Sequence, residues 1–133
     1  MDSTVSSAHR FTFKEEERLS HKKLIDELFN SGSSFYLQPL KVLILKKNYE
    51  SEFPARILIT VSTKNFSSAV DRNKIKRLIR ESYRLNKHLL YDELKSKNKK
   101  ILIAIIYSSK KIESFSLIEE KVVASLKKII SLL

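Results

Sequence analysis

The cations between Ser68 and Leu90 are the residues of this sequence best suited to chemistry, and that chemistry is phosphate binding. The segment SAVDRNKIKRLIRESYRLNKHLL contains seven Lys or Arg residues but only one carboxylate, Glu81, between Arg72 and Lys87. At about 100° per residue of an α-helix, seven polar side chains fall within an arc of about 140°. These are Arg72, Asn73, Lys76, Arg77, Arg80, Arg84 and Lys87. The opposite side is mostly apolar, so one face would pack on a core while the other presents cations.

The alternative interpretation is an ordinary solvated helix face, and the charge pattern argues against it. Solvated faces usually pair opposite charges, because like charges at i,i+4 destabilise a helix by tenths of a kcal/mol each. Here Arg72, Lys76, Arg80 and Arg84 place like charges at every i,i+4 step. Four of the seven cations are Arg, whose forked guanidinium can bind a phosphate through two hydrogen bonds. The pattern therefore favours binding to RNA or DNA.

Composition supports a polyanionic partner and narrows its type. The chain has 133 residues, 26 Lys and Arg against 15 Asp and Glu, and a net charge of +11. Such a domain attracts nucleic acids or anionic membranes. A membrane surface is disfavoured, because the apolar side of the basic helix lacks Trp and Phe and is needed for the core. The absence of cysteine, of a secretory signal and of an apolar run near the ~18 residues that span a bilayer predicts a cytoplasmic protein.

A catalytic or metal centre within the protein is not predicted. His9, His21 and His88 are isolated in the sequence, so the spacing of metal ligands is missing. Glu15–Glu17 form an acidic cluster in a polar segment, where solvation explains them better than acid/base catalysis. A single glycine, Gly32, cannot build a glycine-rich phosphate loop.

The first half of the chain predicts one helix and two main strands. Apolar spacing predicts a helix over about 21–31, with Ser20 as its N-cap and Gly32 ending it in a left-handed conformation. Aliphatic runs at 40–47 and 55–62 predict strands, and the linker between them favours an antiparallel hairpin. Residues 36–37, ahead of a proline, are predicted to form a short additional edge strand.

The second half predicts a helix from 69 to about 90, a strand at 99–107 buried on both faces and a helix at 114–133. The resulting order is α-β-β-α-β-α, a single-domain α+β sandwich with a small mixed sheet covered by helices. Residues 1–17 are predicted to be a flexible tail and 18–133 the domain. We expect strands 55–62 and 99–107 to be parallel neighbours joined by the basic helix, with Tyr83 in the core.

The sequence AVDRNKIKRLIRE at 69–81 resembles the Arg-Asn-Arg signature helix of the bacterial ribonuclease P protein family. The chain departs from that pattern at Lys74, which keeps the charge but lacks the guanidinium fork. Further similarity lies at Arg18-Leu19, at the spacing of Phe29 and Gly32, and at 61–62 and 84–90. The resemblance covers about residues 17–133.

The resemblance implies a ribosomal-protein-like fold with a left-handed crossover around the basic helix. It implies a subunit of a tRNA-processing ribonucleoprotein that removes the 5′ leader of precursor tRNA. The RNA subunit would be the catalyst, and Mg²⁺ would be required through that RNA. Neither DNA nor a membrane is an expected partner.

Residue by residue, the resemblance and the charge pattern imply two sets of site residues. The RNA-binding residues would be Arg72, Asn73, Lys74, Lys76, Arg77, Arg80, Arg84 and Lys87. The leader cleft would be lined by Ile25, Phe29, Leu43 and Lys64. Relatives often have aromatic residues where this chain has Ile25 and Leu43, so Phe29 alone keeps a ring, and core packing is the alternative for Phe29. The rival functions are a ribosomal-type RNA-binding module without an enzymatic partner and a stand-alone nuclease.

Overall fold

A computed structural model describes residues 12–133 as one four-stranded sheet with helices on both faces. A single 3-10 turn, Glu15–Glu17, precedes four helices and four strands. The helices are α1 (Lys22–Ser31), α2 (Ala69–Asn86), α3 (His88–Ser96) and α4 (Phe115–Leu132). The strands are β1 (Ser33–Leu37), β2 (Leu40–Lys46), β3 (Ala55–Val61) and β4 (Ile101–Tyr107). The predicted α+β class is confirmed, and the edge strand is longer than expected.

The sheet has the order β1-β2-β4-β3. β3 and β4 pair in parallel with α2 in the connection between them, which confirms the predicted neighbours. The predicted hairpin of β2 and β3 is wrong, because β4 lies between them and pairs antiparallel with β2. Six of the seven β4 residues are buried. A strand so apolar on both faces is most stable at the centre of a sheet, and this outweighs the tendency of consecutive strands to pair.

The two faces of the sheet support different helices. α2, α3 and α4 cover one face and enclose the larger core, to which α2 contributes Ile75, Ile79 and Tyr83. α1 covers the opposite face, where Leu28 packs with Leu43 in a smaller cluster. The basic helix and the first helix therefore lie on opposite sides of the sheet.

The predicted helix from 69 to 90 is in fact two helices. α2 ends at Asn86, Lys87 lies at the junction, and α3 begins at His88. Leu90, Tyr91 and Leu94 of α3 pack in the larger core. No glycine or proline marks the break, so the sequence pattern gave one continuous helix.

The ends of α1 differ from the prediction. The N-cap is His21, one residue after Ser20, and it makes no side-chain cap hydrogen bond. Gly32 has φ −73° and ψ 153°, which is extended backbone and not left-handed. Glycine is favoured at this position because there is no room for a side chain. A Cβ would lie 2.5 Å from the Leu28 carbonyl oxygen and 3.0 Å from that of Ile44.

Residues 12–19 pack on the domain. The edge of the Phe13 ring meets the Tyr83 ring at a centroid distance of 5.9 Å, and the Leu19 amide donates to the Ile57 carbonyl at 2.8 Å. Glu17 is completely buried, so the expectation that Glu15–Glu17 are solvated is wrong for this residue. Part of the predicted tail, residues 1–11, lies outside the described residues; the rest, from 12 to 17, meets the folded domain.

Candidate nucleic-acid interface

α2 is held rigidly against the sheet by its apolar side. Its N-cap Ser68 accepts a hydrogen bond from the Asp71 amide at 3.4 Å. Ile75, Ile79 and Tyr83 have no exposed surface, which confirms the prediction that Tyr83 belongs to the core. A buried stripe of this kind fixes which side of the helix faces outward.

The outward side presents much of the predicted cationic surface. Asn73, Lys74 and Arg77 are exposed, and Lys76 and Arg80 are half-buried. Since Arg and Lys can bury their aliphatic stems while the charged group stays in water, half-buried cations remain suited to phosphate contacts. We call these five residues the α2 cationic face.

Arg72 and Arg84 make contacts within the protein. Nη1 of Arg72 donates to the carbonyls of Phe66 and Ser67 at 2.8 and 2.9 Å, which fixes the loop ahead of α2. Arg84 donates to the two carboxylate oxygens of Glu81 at 2.5 and 3.2 Å. This hydrogen bonding lowers the pKa of Glu81 and raises the pKa of Arg84. Both arginines lie beside the α2 cationic face with part of their donor capacity already used.

Lys87 does not lie on the α2 cationic face, which corrects its predicted place among the outward cations. It is 2% exposed, and its ammonium forms an ion pair with Glu17 and donates to the Thr12 carbonyl. The Tyr91 hydroxyl donates to the same Glu17 carboxylate at 2.7 Å, and the Tyr83 hydroxyl lies 3.3 Å from that of Tyr91. Lys87 still has helical backbone, and its amide donates to the Tyr83 carbonyl. It is buried because Thr12 and Glu17 pack over it, which the period of the helix alone cannot show.

The residues expected to line a leader cleft have unequal accessibility. Phe29 is 45% exposed on α1, so core packing of its ring is excluded. Leu43 is buried and Ile25 is half-buried, and both belong to the smaller cluster beneath α1. Lys64 is exposed in the loop that follows β3. Phe29 is the predicted cleft residue with an accessible ring, and Leu43 forms part of the floor under α1.

Tyr36 is an exposed aromatic residue that the sequence analysis assigned no role. It is 53% exposed on the edge strand β1, opposite Lys41 of β2. Its hydroxyl hydrogen-bonds the Ser108 hydroxyl, which donates to the Pro39 carbonyl at 2.8 Å. Had the strand been predicted over all of SSFYL (33–37), the alternation of its side chains between the two faces would have indicated that Tyr36 points away from the sheet face on which Phe35 and Leu37 lie.

Within residues 12–133 no group of three or more His, Asp or Glu side chains is arranged to hold a metal ion. No helix in that same part of the chain has the length and hydropathy that crossing a bilayer requires. Fold and site together define a basic α+β domain with a cationic helix on one side of its sheet, a charge pattern typical of nucleic-acid-binding proteins.

Comparison with known proteins identifies the family. The ribonuclease P family model matches residues 13–130, and the chain belongs to that family. The ribonuclease P protein component of Porphyromonas gingivalis is 34% identical over 122 residues, which cover 92% of this chain and 89% of the relative. That of Chlorobium phaeobacteroides is 33% identical over 128 residues, covering 89% and 88%. The family's role is tRNA 5′ processing, as the protein subunit of an endoribonuclease in which the RNA is the catalyst.

Solved structures agree with this assignment. The ribonuclease P protein of Thermotoga maritima matches with a TM-score of 0.68 and 28% identity, covering 84% of this chain and 96% of that one. The protein of Staphylococcus aureus matches with a TM-score of 0.65 at 24% identity, covering 85% and 94%, and supports the fold.

Proposed function

We propose that this protein binds the catalytic RNA of ribonuclease P through the α2 cationic face and grips the single-stranded 5′ leader of precursor tRNA on the α1 side of its sheet. The observation that carries this proposal is the outward row of Asn73, Lys74 and Arg77 on a helix whose other side buries Ile75, Ile79 and Tyr83. Cations on a rigid helix bind the phosphate backbone without first having to become ordered.

The contribution to leader binding rests on Phe29. Its ring is accessible on α1, and aromatic side chains stack on unpaired bases of any sequence. α1 and α2 lie on opposite faces of the sheet, so the leader and the catalytic RNA can be bound at the same time.

The protein's part in the reaction is binding and positioning. Hydrolysis of the phosphodiester would take place on the RNA subunit, where clustered phosphates recruit Mg²⁺, and the cation would be held by RNA oxygens. A cysteine-free chain and a tRNA precursor as substrate fit the cytoplasm, and neither DNA nor a membrane is required as a partner.

Single-turnover cleavage of precursor tRNA tests the proposal. The expected result is no cleavage by the protein alone, and cleavage by the protein with the RNA subunit at a precursor concentration too low for the RNA alone. The protein should also raise the affinity for precursor over mature tRNA. Equal affinity for the two tRNAs would support the ribosomal-type RNA-binding module, and cleavage by the protein alone would support a stand-alone nuclease.

A further inference from the structure

Arg18 and Arg80 come from distant parts of the sequence and line the same surface pocket. Arg18 follows the 3-10 turn and forms a bridge beside Ile57 of β3, while Arg80 projects from α2. Ile57, Leu58 and Ile59 of the edge strand β3 also line the pocket, as does Phe13. The pocket therefore combines two arginines with apolar residues of an edge strand.

The two arginines are held near each other without a carboxylate between them. Among residues 12–133, no Asp or Glu forms a salt bridge with either side chain. The Arg18 guanidinium instead lies 5.3 Å from the centroid of the Phe13 ring. Burial, and then the positive charge of Arg18, lowers the pKa of Arg80. Arg80 is half-buried and Arg18 is exposed, and their like charges repel each other. An anion between them would relieve that repulsion.

The position of Arg18 is fixed from both sides along the chain. On one side, Glu17 is buried in its ion pair with Lys87 and accepts from Tyr91. On the other, the Leu19 amide bonds the Ile57 carbonyl. Arg80 is fixed equally well, because the preceding residue of α2, Ile79, is completely buried. A site built on such anchored backbone loses little conformational entropy when a ligand binds.

We infer that Arg18 and Arg80 form a phosphate-binding site for one phosphodiester of bound RNA, with the adjoining nucleotide against the edge of β3, where Leu58 and Ile59 line the pocket. The chemistry that selects this ligand is the guanidinium fork, which matches two phosphate oxygens, next to a surface that can accept a sugar or base. The inference rests on the proposed function for the identity of the RNA. It extends the RNA-binding surface beyond α2 to the segment that precedes α1.

The first test uses the free protein and inorganic phosphate. Phosphate should shift the amide NMR signals of Leu58 and Ile59 and raise the melting temperature of the wild-type protein. Both effects should be lost in Arg18→Ala and reduced in Arg18→Lys, which keeps the charge but not the fork. Lys128→Ala, which removes an exposed cation from α4, is the matched control and should respond like wild type.

The second test uses RNA-subunit and precursor-tRNA binding by the assembled complex. Arg18→Ala and Arg80→Ala should each weaken binding of one of these RNAs about 10- to 100-fold. The magnitude of the log–log salt slope should fall by roughly 0.7 to 0.9. Because both side chains would bind the same phosphate, the double variant should lose much less than the product of the two single losses. The RNA whose binding is weakened, either the RNA subunit or precursor tRNA, is the one that supplies the phosphate.

The inference is overturned if the double variant loses RNA affinity by the full product of the two single losses and Arg18→Ala still responds to phosphate like wild type. Circular dichroism distinguishes loss of a contact from loss of the fold, and Arg18→Lys preserves the test if Arg18→Ala unfolds. The proposed function is tested by a different result: it fails if the wild-type protein does not assist cleavage. In that case, a phosphate response that is present in wild type and lost in Arg18→Ala still supports the phosphate site.

Discussion

Leu28 and Phe29 are adjacent on α1 but have different surroundings. Leu28 is completely buried against the sheet, whereas 45% of Phe29 is exposed. The sequence pattern places both residues on one apolar stripe, which is why it left core packing and leader contact open for Phe29. Which residues of the apolar stripe are buried depends on how α1 packs on the sheet, and the sequence of α1 alone does not contain that information.

Phe29→Ala should leave the free energy of unfolding nearly unchanged and selectively weaken binding of RNA that has a 5′ leader. The loss on precursor tRNA should be about 1–3 kcal/mol, the usual contribution of one aromatic–base stack. Mature tRNA should be barely affected. Holoenzyme affinity for the two tRNAs and the melting temperature measure these effects. Leu28→Ala is the matched control and should cost about 2–5 kcal/mol of stability. Equal losses on both tRNAs would remove Phe29 from leader binding.

Lys87 and Lys74 test how far charge alone predicts function. Both are Lys residues of the basic segment, but Lys87 is buried in an ion pair and Lys74 is exposed. The sequence could not separate them, because the Glu17 partner is 70 residues away in the chain. The helical period predicted four of the five residues of the α2 cationic face, all except Lys74. It also placed Lys87 outward, because burial by a segment distant in the chain is not part of a helical pattern.

Lys87→Ala should destabilise the fold by about 3–5 kcal/mol, because it leaves the Glu17 carboxylate buried without its cation. Lys74→Ala should leave stability unchanged and reduce the salt dependence of RNA binding. Chemical denaturation and binding at several salt concentrations distinguish the two variants. A stable Lys87→Ala protein with weakened RNA affinity would return Lys87 to the RNA-binding surface.

Elements were predicted well wherever one pattern of apolar residues decided the outcome. α1, α4, β2, β3 and β4 lie within one or two residues of their predicted limits, because each has a clear period or an aliphatic run. β1 has neither, and it begins three residues before its predicted start. Strand pairing was less predictable. A linker between β2 and β3 is compatible with a hairpin, yet the greater burial of β4 places that strand between them. Pairing depends on the competition among all strands, which no local pattern contains.

The junction of α1 with β1 depends on the space around Gly32. Gly32→Ala should destabilise the protein by about 1–3 kcal/mol, because the new methyl group would meet the backbone carbonyls of Leu28 and Ile44. Backbone atoms cannot move aside as a flexible side chain can, so α1 would have to shift on the sheet. The exposed neighbour Ser31→Ala provides the control and should have little effect on the melting temperature. A wild-type melting temperature for Gly32→Ala would show that α1 can shift without cost.

At the scale of the whole molecule, the sheet separates the two surfaces that we propose bind RNA. α2 packs on one face through Ile79, and α1 packs on the other through Leu28. The sequence predicted both amphipathic helices and left open which sheet face each one covers. That arrangement follows from the strand order, since the residues of a strand alternate between the two faces.

Separation of the two surfaces predicts independent effects of changes on each. Arg77→Ala removes an exposed cation from the α2 cationic face and should weaken binding of the RNA subunit with precursor and mature tRNA affected alike. Phe29→Ala should act on the leader alone. Because the two residues lie on opposite sides of the sheet and share no contact, their free-energy losses in precursor binding should add to within about 0.3–0.5 kcal/mol. Binding of precursor tRNA by the four holoenzymes of the double-mutant cycle measures this sum. A coupling well above that limit would mean that RNA bound to α2 changes the position of α1, and the sheet would then transmit binding from one face to the other.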